Sequence, residues 1–240
     1  MNIVLPMAGR GSRFVQLGVT TPKPLIDVRG KPMYAWATDG LPLTLAQRLI
    51  FICLSEHLSD RSLARDIESR YAEYHPAIIP LDEVTEGQAC TVLKARELVD
   101  NDEPLLIFNA DTYCPTTLGD VLSRSDRKPD GVLDVFQAAG DRWSFARIDD
   151  DGRVLETAEK RRISPWATTG LYYFGRGRDF VRHAQAMIAE DDRSNGEFYV
   201  APVYNRMIAE DAAVFANKVD RVWVLGTPEE LAHFEREYQR

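Results

Sequence analysis

Short, almost continuously apolar runs separated by amphipathic segments dominate the first half of the chain. Four such runs have the pattern of strands buried on both faces of a parallel sheet. They cover residues 2–7, 49–54, 77–81 and 104–109. Three intervening segments are helix candidates, and the last of them carries apolar residues at near-helical spacing. They cover residues 32–39, 60–74 and 87–99. Alternating strands and helices predict a mostly parallel sheet that is covered on both faces.

After about residue 131, strand-like segments follow one another closely. They cover residues 131–138, 144–149, 153–159 and 168–174. An Asp-Asp-Gly sequence at 150–152 predicts a hairpin turn. Helical patterns return at 177–190 and 197–210, a strand-like run follows at 222–225, and Pro228 suits the first turn of a final helix. We therefore expect antiparallel strands that extend the sheet.

The chain organisation predicts one domain. The 240 residues are 45% hydrophobic and 28% charged, which suffices for a continuous core. The sequence contains no internal repeat, and no long Pro/Gly/Ser linker separates residues 1–130 from residues 131–240. The predicted fold class is α/β, a single-domain, Rossmann-like, three-layer α/β/α architecture with a mixed, mostly parallel sheet and an antiparallel extension.

Charge and composition limit the classes of binding partner and the cellular compartment that we expect. A net charge of -8 argues against a general nucleic-acid or membrane-surface binder, so an anionic ligand must be bound locally. The N-terminus lacks the pattern of an export signal, and no apolar stretch approaches the roughly 20 residues of a membrane span. Cys53, Cys90 and Cys114 are widely spaced and are interpreted as reduced thiols. We expect a cytoplasmic protein.

A glycine loop, residues 8–14, follows the first predicted strand, where ligands bind in open α/β sheets. Gly9 and Gly11 allow the backbone to approach a phosphate, and successive N–H groups can bind an anion. Phe14 replaces the third glycine of a dinucleotide fingerprint, and no Gly-Lys-Ser/Thr follows, so NAD binding and P-loop hydrolysis are disfavoured. An ordinary tight turn remains the alternative for this loop considered alone.

Charged residues near two predicted strand ends add chemistry to this loop. Arg10 and Arg13 lie within the glycine loop. Further along the chain, the prolines of Pro22-Lys23-Pro24 stiffen the backbone around Lys23. Asn109 and Asp111 follow a buried strand, where a carboxylate can bind a hard cation that bridges phosphate oxygens. Asp111 capping a turn is the structural alternative.

The segments LPMAGRGSRF at 5–14 and TPKPLIDVRGKPM at 21–33 resemble the signature of the sugar-phosphate nucleotidyltransferase family. The resemblance implies that residues 1–130 bind an NTP and residues 131–240 an acceptor. It implies that Arg13 and Lys23 stabilise charge while the α-phosphate is attacked. The implied nucleotide-binding residues of the loop are Pro6, Ala8, Gly9, Arg10, Gly11 and Ser12.

The same resemblance extends to the nucleobase and metal sites. TEGQACTVLKA at 85–95 implies that the Gly87 backbone lies against the base, with Gln88 offering a donor and an acceptor. A helix start with an exposed Gln88 is the alternative. Asp111 matches the metal-binding aspartate, which implies a Mg²⁺ cofactor that neutralises charge on the α-phosphate and the leaving pyrophosphate.

Six further residues are implied to bind the acceptor. They are Asn109, Glu159, Lys160, Thr169, Gly170 and Glu197. In the family pattern, Lys160 holds the acceptor phosphate and Glu159 accepts a hydroxyl or amine hydrogen. The alternative is that Lys160 merely solvates a hairpin. Tyr172, Tyr173 and Phe174 are interpreted as sheet core.

One departure from the family pattern affects the metal site. Many relatives carry a second metal-binding aspartate two residues before a Gly-Thr pair, whereas this chain has Val224 and Leu225 before its Gly-Thr at 226–227. An apolar side chain cannot ligate Mg²⁺. Asp220 or Glu197 replaces the aspartate, or phosphates and water complete the shell.

The resulting hypothesis is a magnesium-dependent, pyrophosphorylase-type nucleotidyltransferase that needs no covalent intermediate and no catalytic histidine. LPMAGRGSRF at 5–14, together with GEFYVAPVYN at 196–205 and LGTPEEL at 225–231, is similar to short, capsule-type cytidylyltransferases, which favours CTP and a role in polysaccharide biosynthesis. A glycosyltransferase is the alternative enzyme, although the loop at 109–111 lacks an Asp-x-Asp pair. A non-catalytic nucleotide-binding regulator is the other alternative, and the sequence leaves homo-oligomer formation open.

Overall fold

The computed structural model describes residues 1–124 and 128–239. Within them the strands are β1 Asn2–Met7, β2 Asp27–Val28, β3 Lys31–Pro32, β4 Arg48–Leu54, β5 Ala77–Leu81, β6 Leu105–Phe108, β7 Thr112–Tyr113, β8 Gly131–Gln137, β9 Ser144–Ile148, β10 Val154–Glu159, β11 Trp166–Phe174, β12 Val214–Lys218 and β13 Trp223–Val224. The α-helices are α1 Ser12–Gln16, α2 Met33–Asp39, α3 Ser62–Arg70, α4 Gln88–Leu93, α5 Arg96–Val99, α6 Leu118–Arg124, α7 Gly177–Ala189, α8 Val203–Ala209 and α9 Pro228–Glu237. Short 3₁₀ turns are Lys23–Leu25, Leu43–Leu45, Ser55–Leu58 and Ala72–Tyr74.

A nine-stranded mixed sheet forms the centre of the fold. Strands β6, β1, β4 and β5 are neighbours in that order, and every pair among them is parallel. Strand β11 continues the sheet antiparallel to β6, and it also pairs antiparallel with β8 and β9. The prediction of a mixed sheet with a parallel part and an antiparallel extension is confirmed.

Helices cover both faces of this sheet, which explains why the parallel strands are apolar without alternation. Along β1, Ile3 and Leu5 contact one core cluster, which includes buried residues of α2 and α3. Val4 faces the opposite cluster, which includes buried residues of α4, α5, α7 and α8. The predicted three-layer α/β/α arrangement is therefore confirmed.

A smaller third cluster packs the loop elements beside the sheet. Phe14 of α1, Trp36 of α2 and Phe234 of α9 are buried in it together with Leu225. The rings of Trp36 and Phe234 contact each other at a centroid distance of 5.0 Å. This cluster packs α1, α2 and α9 against one another.

Several predicted boundaries are wrong. The helix predicted at 197–210 begins only at Val203, because the Phe198 backbone is bonded elsewhere: its N–H donates to Glu86 O, and its carbonyl accepts from Ala89 N, each at 2.9 Å. The helix predicted at 87–99 is divided into α4 and α5. The strand predicted at 222–225 is only the two-residue β13, which pairs with β7. Strand β12 and helices α1 and α6 were not predicted.

The cysteines are free thiols, as the sequence predicts. Cys53 and Cys114 are buried and Cys90 is partly exposed. Burial raises the pKa of the Cys53 thiol to about 12, so it stays protonated at neutral pH. Among the described residues, no helix has the length and apolarity to span a bilayer.

Candidate active site

A cavity of about 580 Å³ opens at the carboxyl ends of β1 and β6 and continues along the middle of β11. Many residues predicted for the site line this cavity. They are Pro6, Gly9, Arg13, Lys23, Gln88, Asn109, Asp111, Glu159, Lys160, Thr169, Gly170 and Glu197. Other predicted residues do not line it. They are Ala8, Arg10, Gly11, Ser12 and Gly87.

Lys23 and Asp111 form an ion pair in the cavity, although 88 positions separate them in the chain. The Lys23 Nζ to Asp111 Oδ2 distance is 2.5 Å, and the side chains are 19% and 32% exposed. Lys23 begins the 3₁₀ turn Lys23–Leu25, in which Pro24 is buried. Asp111 follows β6 directly before β7. The turn and the strand end thus hold an ammonium and a carboxylate at one point.

The glycine loop contributes to this arrangement through packing. Gly11 has a φ of 64°, and an added Cβ would lie 2.8 Å from Lys23 Cβ. A side chain at Gly11 would therefore displace the stem of Lys23 and also strain the backbone. Gly11 positions Lys23 even though it does not line the cavity itself.

The two arginines of the loop region differ in position. Arg13 lies in α1, is exposed, and lines the cavity without an ion-pair partner among the described residues. Arg10 is exposed outside the cavity lining. Arg13 is therefore the loop cation available to an anionic ligand in the cavity, whereas no contact assigns that role to Arg10.

Asn109 is held between two neighbours at the cavity floor. Gln88 Nε2 donates to Asn109 Oδ1 at 2.6 Å. Gly170 has a φ of 89°, and an added Cβ would lie 2.2 Å from Asn109 Nδ2. Gln88 thus fixes one end of the Asn109 amide, and only glycine at position 170 leaves room for the other.

Gly87 packs against protein backbone. Its φ is 140°, and an added Cβ would lie 2.5 Å from both Phe198 N and Phe198 O. The glycine lets the start of α4 contact the segment 197–199, whose Glu197 and Tyr199 side chains line the cavity. Gly87 therefore allows the segment 197–199 to pack closely against the start of α4.

A chain of hydroxyl groups leads to Glu159, which lines the cavity beside Lys160. Thr168 Oγ1 and Tyr172 OH are 3.0 Å apart, and Tyr172 OH donates to Ser144 Oγ at 3.4 Å. Ser144 Oγ in turn donates to Glu159 Oε2. Burial raises the pKa of the Glu159 carboxyl, against the opposing hydrogen bond from Ser144.

Lys160 lies next to Glu159 and points its ammonium group at a tyrosine. Lys160 has a φ of 49°, its N–H donates to Trp143 O at 2.9 Å, and its Nζ donates to Tyr199 OH at 2.6 Å. The hydrogen bond to Tyr199 raises the pKa of Lys160, so the ammonium stays charged at neutral pH. A cation is thus available at this end of the cavity.

Helix α9 and the loop before β9 form a third wall. Arg142 Nη1 and Glu230 Oε1 form an ion pair at 2.7 Å, and the Arg142 guanidinium lies 4.2 Å from the centroid of the Trp143 ring. The Glu230 side chain is 17% exposed. Thr227 caps α9 by accepting from Glu230 N at 3.2 Å.

Residues 2–240 match the family model described as Nucleotidyl transferase. The chain belongs to this family. A nucleoside-diphosphate-sugar pyrophosphorylase of Vibrio cholerae is 30% identical, with a TM-score of 0.87 over 98% of this nucleotidyltransferase and 100% of that chain.

Two curated relatives act on different substrates. A UTP–glucose-1-phosphate uridylyltransferase of Haloferax volcanii is 25% identical over 100% of this chain and 97% of its own length. A 2-aminoethylphosphonate cytidylyltransferase of Lancefieldella rimae is 27% identical over 99% of this chain and 93% of its own length. Similarity at this level therefore leaves both the base and the acceptor open.

Several cavity residues of the nucleotidyltransferase were missed by the sequence analysis. They are Arg142, Trp143, Ser144, Tyr199 and Glu230. Residues 142–144 belong to no recognised motif, and Glu230 has the pattern of an ordinary acid in a first helical turn. Tyr172 was expected in the core, and it is both buried and part of the cavity wall.

The candidates for a second metal ligand lie in different places. Asp220 does not line the cavity, whereas Glu197 lines it near Lys160 and Tyr199, on which its charge acts. Val224 lines the wall beside β7 with an apolar side chain. Within residues 1–124 and 128–239, no three His, Cys, Asp or Glu side chains are grouped as a metal site.

Proposed function

We propose that the protein transfers a nucleoside monophosphate from an NTP to a phosphorylated small acceptor and releases pyrophosphate. The observation that carries the proposal is the Lys23–Asp111 ion pair at the carboxyl ends of β1 and β6, in a cavity that continues to Lys160. One end thus offers a cation and a carboxylate for phosphate chemistry, and the other offers a separate cation for an acceptor phosphate.

The reaction follows from positions and charges. An acceptor phosphate oxygen, which is already anionic at neutral pH, attacks the α-phosphorus while pyrophosphate leaves on the opposite side. Lys23 and Arg13 stabilise the charge that develops there, and Lys160 holds the acceptor phosphate. Because no proton must be removed from the nucleophile, no general base is required; none of the four histidines lines the cavity. Catalysis rests on positioning and charge stabilisation.

Asp111 is the residue that would hold the Mg²⁺ ion. Its surroundings fit such an ion, because carboxylate oxygens are ligands that Mg²⁺ prefers. Gly226 also leaves open the space beside Asp111: a Cβ added there would lie 3.0 Å from Asp111 Oδ2. When bound, the ion supplies charge neutralisation of the phosphate oxygens. Lys23, now paired with Asp111, would then be free to contact the phosphate.

For the base and the acceptor, we favour CTP and a small phosphorylated compound. The segments at 5–14, 196–205 and 225–231 support this choice through their similarity to short cytidylyltransferases, and a cytidylyltransferase is among the relatives. Glu159 and Glu197 line the acceptor end and can accept hydrogens from hydroxyl or amine groups. A place in polysaccharide biosynthesis and a cytoplasmic location complete the proposal.

A pyrophosphate-release screen tests this function directly. The four NTPs would be combined with Mg²⁺ and a panel of sugar phosphates and amino-alcohol phosphates. We expect release that depends on both substrates, with CTP preferred. Strong preference for another NTP would overturn the choice of CTP. Binding of NTPs without any turnover would favour a regulatory protein instead.

Lys23→Ala tests the reaction centre, because removing one well-placed cation commonly lowers the rate about 10²- to 10³-fold. Lys94→Ala serves as a control, because Lys94 lies outside the cavity. Circular dichroism checks that both variants are folded. Unchanged turnover in Lys23→Ala would remove Lys23 from the mechanism.

A further inference from the structure

The wall formed by α9 brings a second carboxylate towards Asp111. Gly226 lies just after β13, and an added Cβ there would lie 3.0 Å from Asp111 Oδ2 and 3.5 Å from Glu230 Oε2. The two carboxylate oxygens therefore approach the same small space from opposite elements. Glycine at position 226 keeps that space open.

We propose that Glu230 supplies the second carboxylate for the divalent cation, in place of the aspartate that this chain lacks at Val224. The inference rests on the proposed function, which requires a cation at Asp111. Val224 lines the same wall but offers no donor atom. Glu230 reaches the cavity from α9, and its side chain is only 17% exposed. Glu230 of α9 thus takes the place of a carboxylate at position 224 of β13.

The charges at this end of the cavity fit such a role. Each carboxylate is paired with a cation: Asp111 with Lys23 at 2.5 Å, and Glu230 with Arg142 at 2.7 Å. A metal–triphosphate complex carries charges of both signs, so it can exchange both pairs together. The carboxylates would turn to the metal, and the two cations would turn to phosphate oxygens.

Two carboxylates are also sufficient for Mg²⁺. This ion is commonly bound through one or two carboxylates, with substrate phosphates and water in the remaining positions. That coordination agrees with the lack of a three-residue metal cluster among the described residues. It also removes the need for Asp220, which lies outside the cavity lining.

Binding of Mn²⁺ alone, measured by electron paramagnetic resonance of the free ion, tests the proposal without any substrate. Glu230→Gln should weaken the affinity for Mn²⁺ by about tenfold or more. Glu229→Gln is the matched control, because Glu229 lies in the same helical turn, is exposed and does not line the cavity. Equal affinities of the Glu230→Gln variant and the wild type would overturn the proposal.

Arg142→Met separates ligation from a structural effect of the ion pair. It breaks the same pair but leaves the Glu230 carboxylate in place, so we expect Mn²⁺ affinity equal to or tighter than that of the wild type. If Arg142→Met weakened binding as much as Glu230→Gln, the loss would come from the broken ion pair and Glu230 would not be a ligand.

Asp111→Asn distinguishes this inference from the proposed function. We expect it to abolish Mn²⁺ binding. Loss of binding in Asp111→Asn but not in Glu230→Gln would overturn the role of Glu230 alone. Undiminished binding in Asp111→Asn would remove the metal from Asp111 and with it the metal part of the proposed function.

Discussion

At the scale of single residues, glycines in and behind the cavity wall act by leaving room for other side chains. Gly11 lies against the Lys23 stem, Gly170 against the Asn109 amide, and Gly226 between two carboxylates. In each case an added Cβ would meet a polar side chain at 3.0 Å or less. The glycines therefore set the positions of functional groups.

Gly11→Ala tests this interpretation. The added methyl group should displace Lys23 and lower kcat/KM by about 10²-fold, as a small misplacement of a catalytic group can. Gly152→Ala is the control, because Gly152 has a similarly positive φ of 82° but nothing within 4 Å of an added Cβ. It should lose about 1 kcal/mol of stability from backbone strain without losing activity. Equal kinetic losses in both variants would contradict the role of the Lys23 contact.

At the scale of elements, irregularities of β11 and α4 shape the end of the cavity that contains Lys160. The register between β11 and β8 shifts between Thr168 and Tyr172, so the strand bulges at the cavity. The start of α4 is joined to the segment 197–199 by two backbone hydrogen bonds at Phe198. Both features aim side chains from distant parts of the chain into one space.

Gly87→Ala should weaken the contact between the start of α4 and the segment 197–199. A Cβ at Gly87 would meet the Phe198 backbone at 2.5 Å and displace Glu197 and Tyr199. Steady-state kinetics should show a larger increase in KM for the acceptor than for the NTP. Gly196→Ala is the control, because it lies in the same segment at φ 83° with nothing within 4 Å. An effect on the KM of the NTP alone would instead favour the sequence-based contact of Gly87 with the base.

At the scale of the whole molecule, the cavity lies where the parallel part of the sheet meets its antiparallel extension. The parallel part could be predicted, since apolar runs mark buried strands, and Lys23 and Asp111 could be placed at the same cavity, since each belongs to a motif that is contiguous in sequence. The wall containing Arg142 and Glu230 could not, because it is made by tertiary contact between a loop and a helix. Strand β12 was missed because two of its five residues are exposed and it pairs with only β8.

A buried carboxyl should make the stability of the fold depend on pH. Asp134 of β8 is completely buried, Asn217 Nδ2 donates to its Oδ1 at 2.7 Å, and burial raises its pKa from 3.8 to about 6. The folded state therefore binds more protons between these values, and the resulting stabilisation, up to about 3 kcal/mol, is present below pH 3.8 and lost as the pH rises through about 6.

Denaturant unfolding of Asp134→Asn should show a flatter dependence of the unfolding free energy on pH across this window. Asp151→Asn is the control, because Asp151 is exposed in the turn at 150–152. It should keep the pH dependence of the wild type. An unchanged slope in Asp134→Asn would show that this carboxyl does not titrate within the window.

The central claim is that the α-phosphate of an NTP is attacked beside Lys23 and Asp111. Turnover of α-³²P- and γ-³²P-labelled NTP with the acceptor found in the screen tests it most directly. The account predicts that the α label enters the acceptor product, that the γ label appears in pyrophosphate, and that Lys23→Ala and Asp111→Asn each suppress both transfers. Transfer of the γ label to the acceptor, or full α-label transfer in both variants, would contradict it.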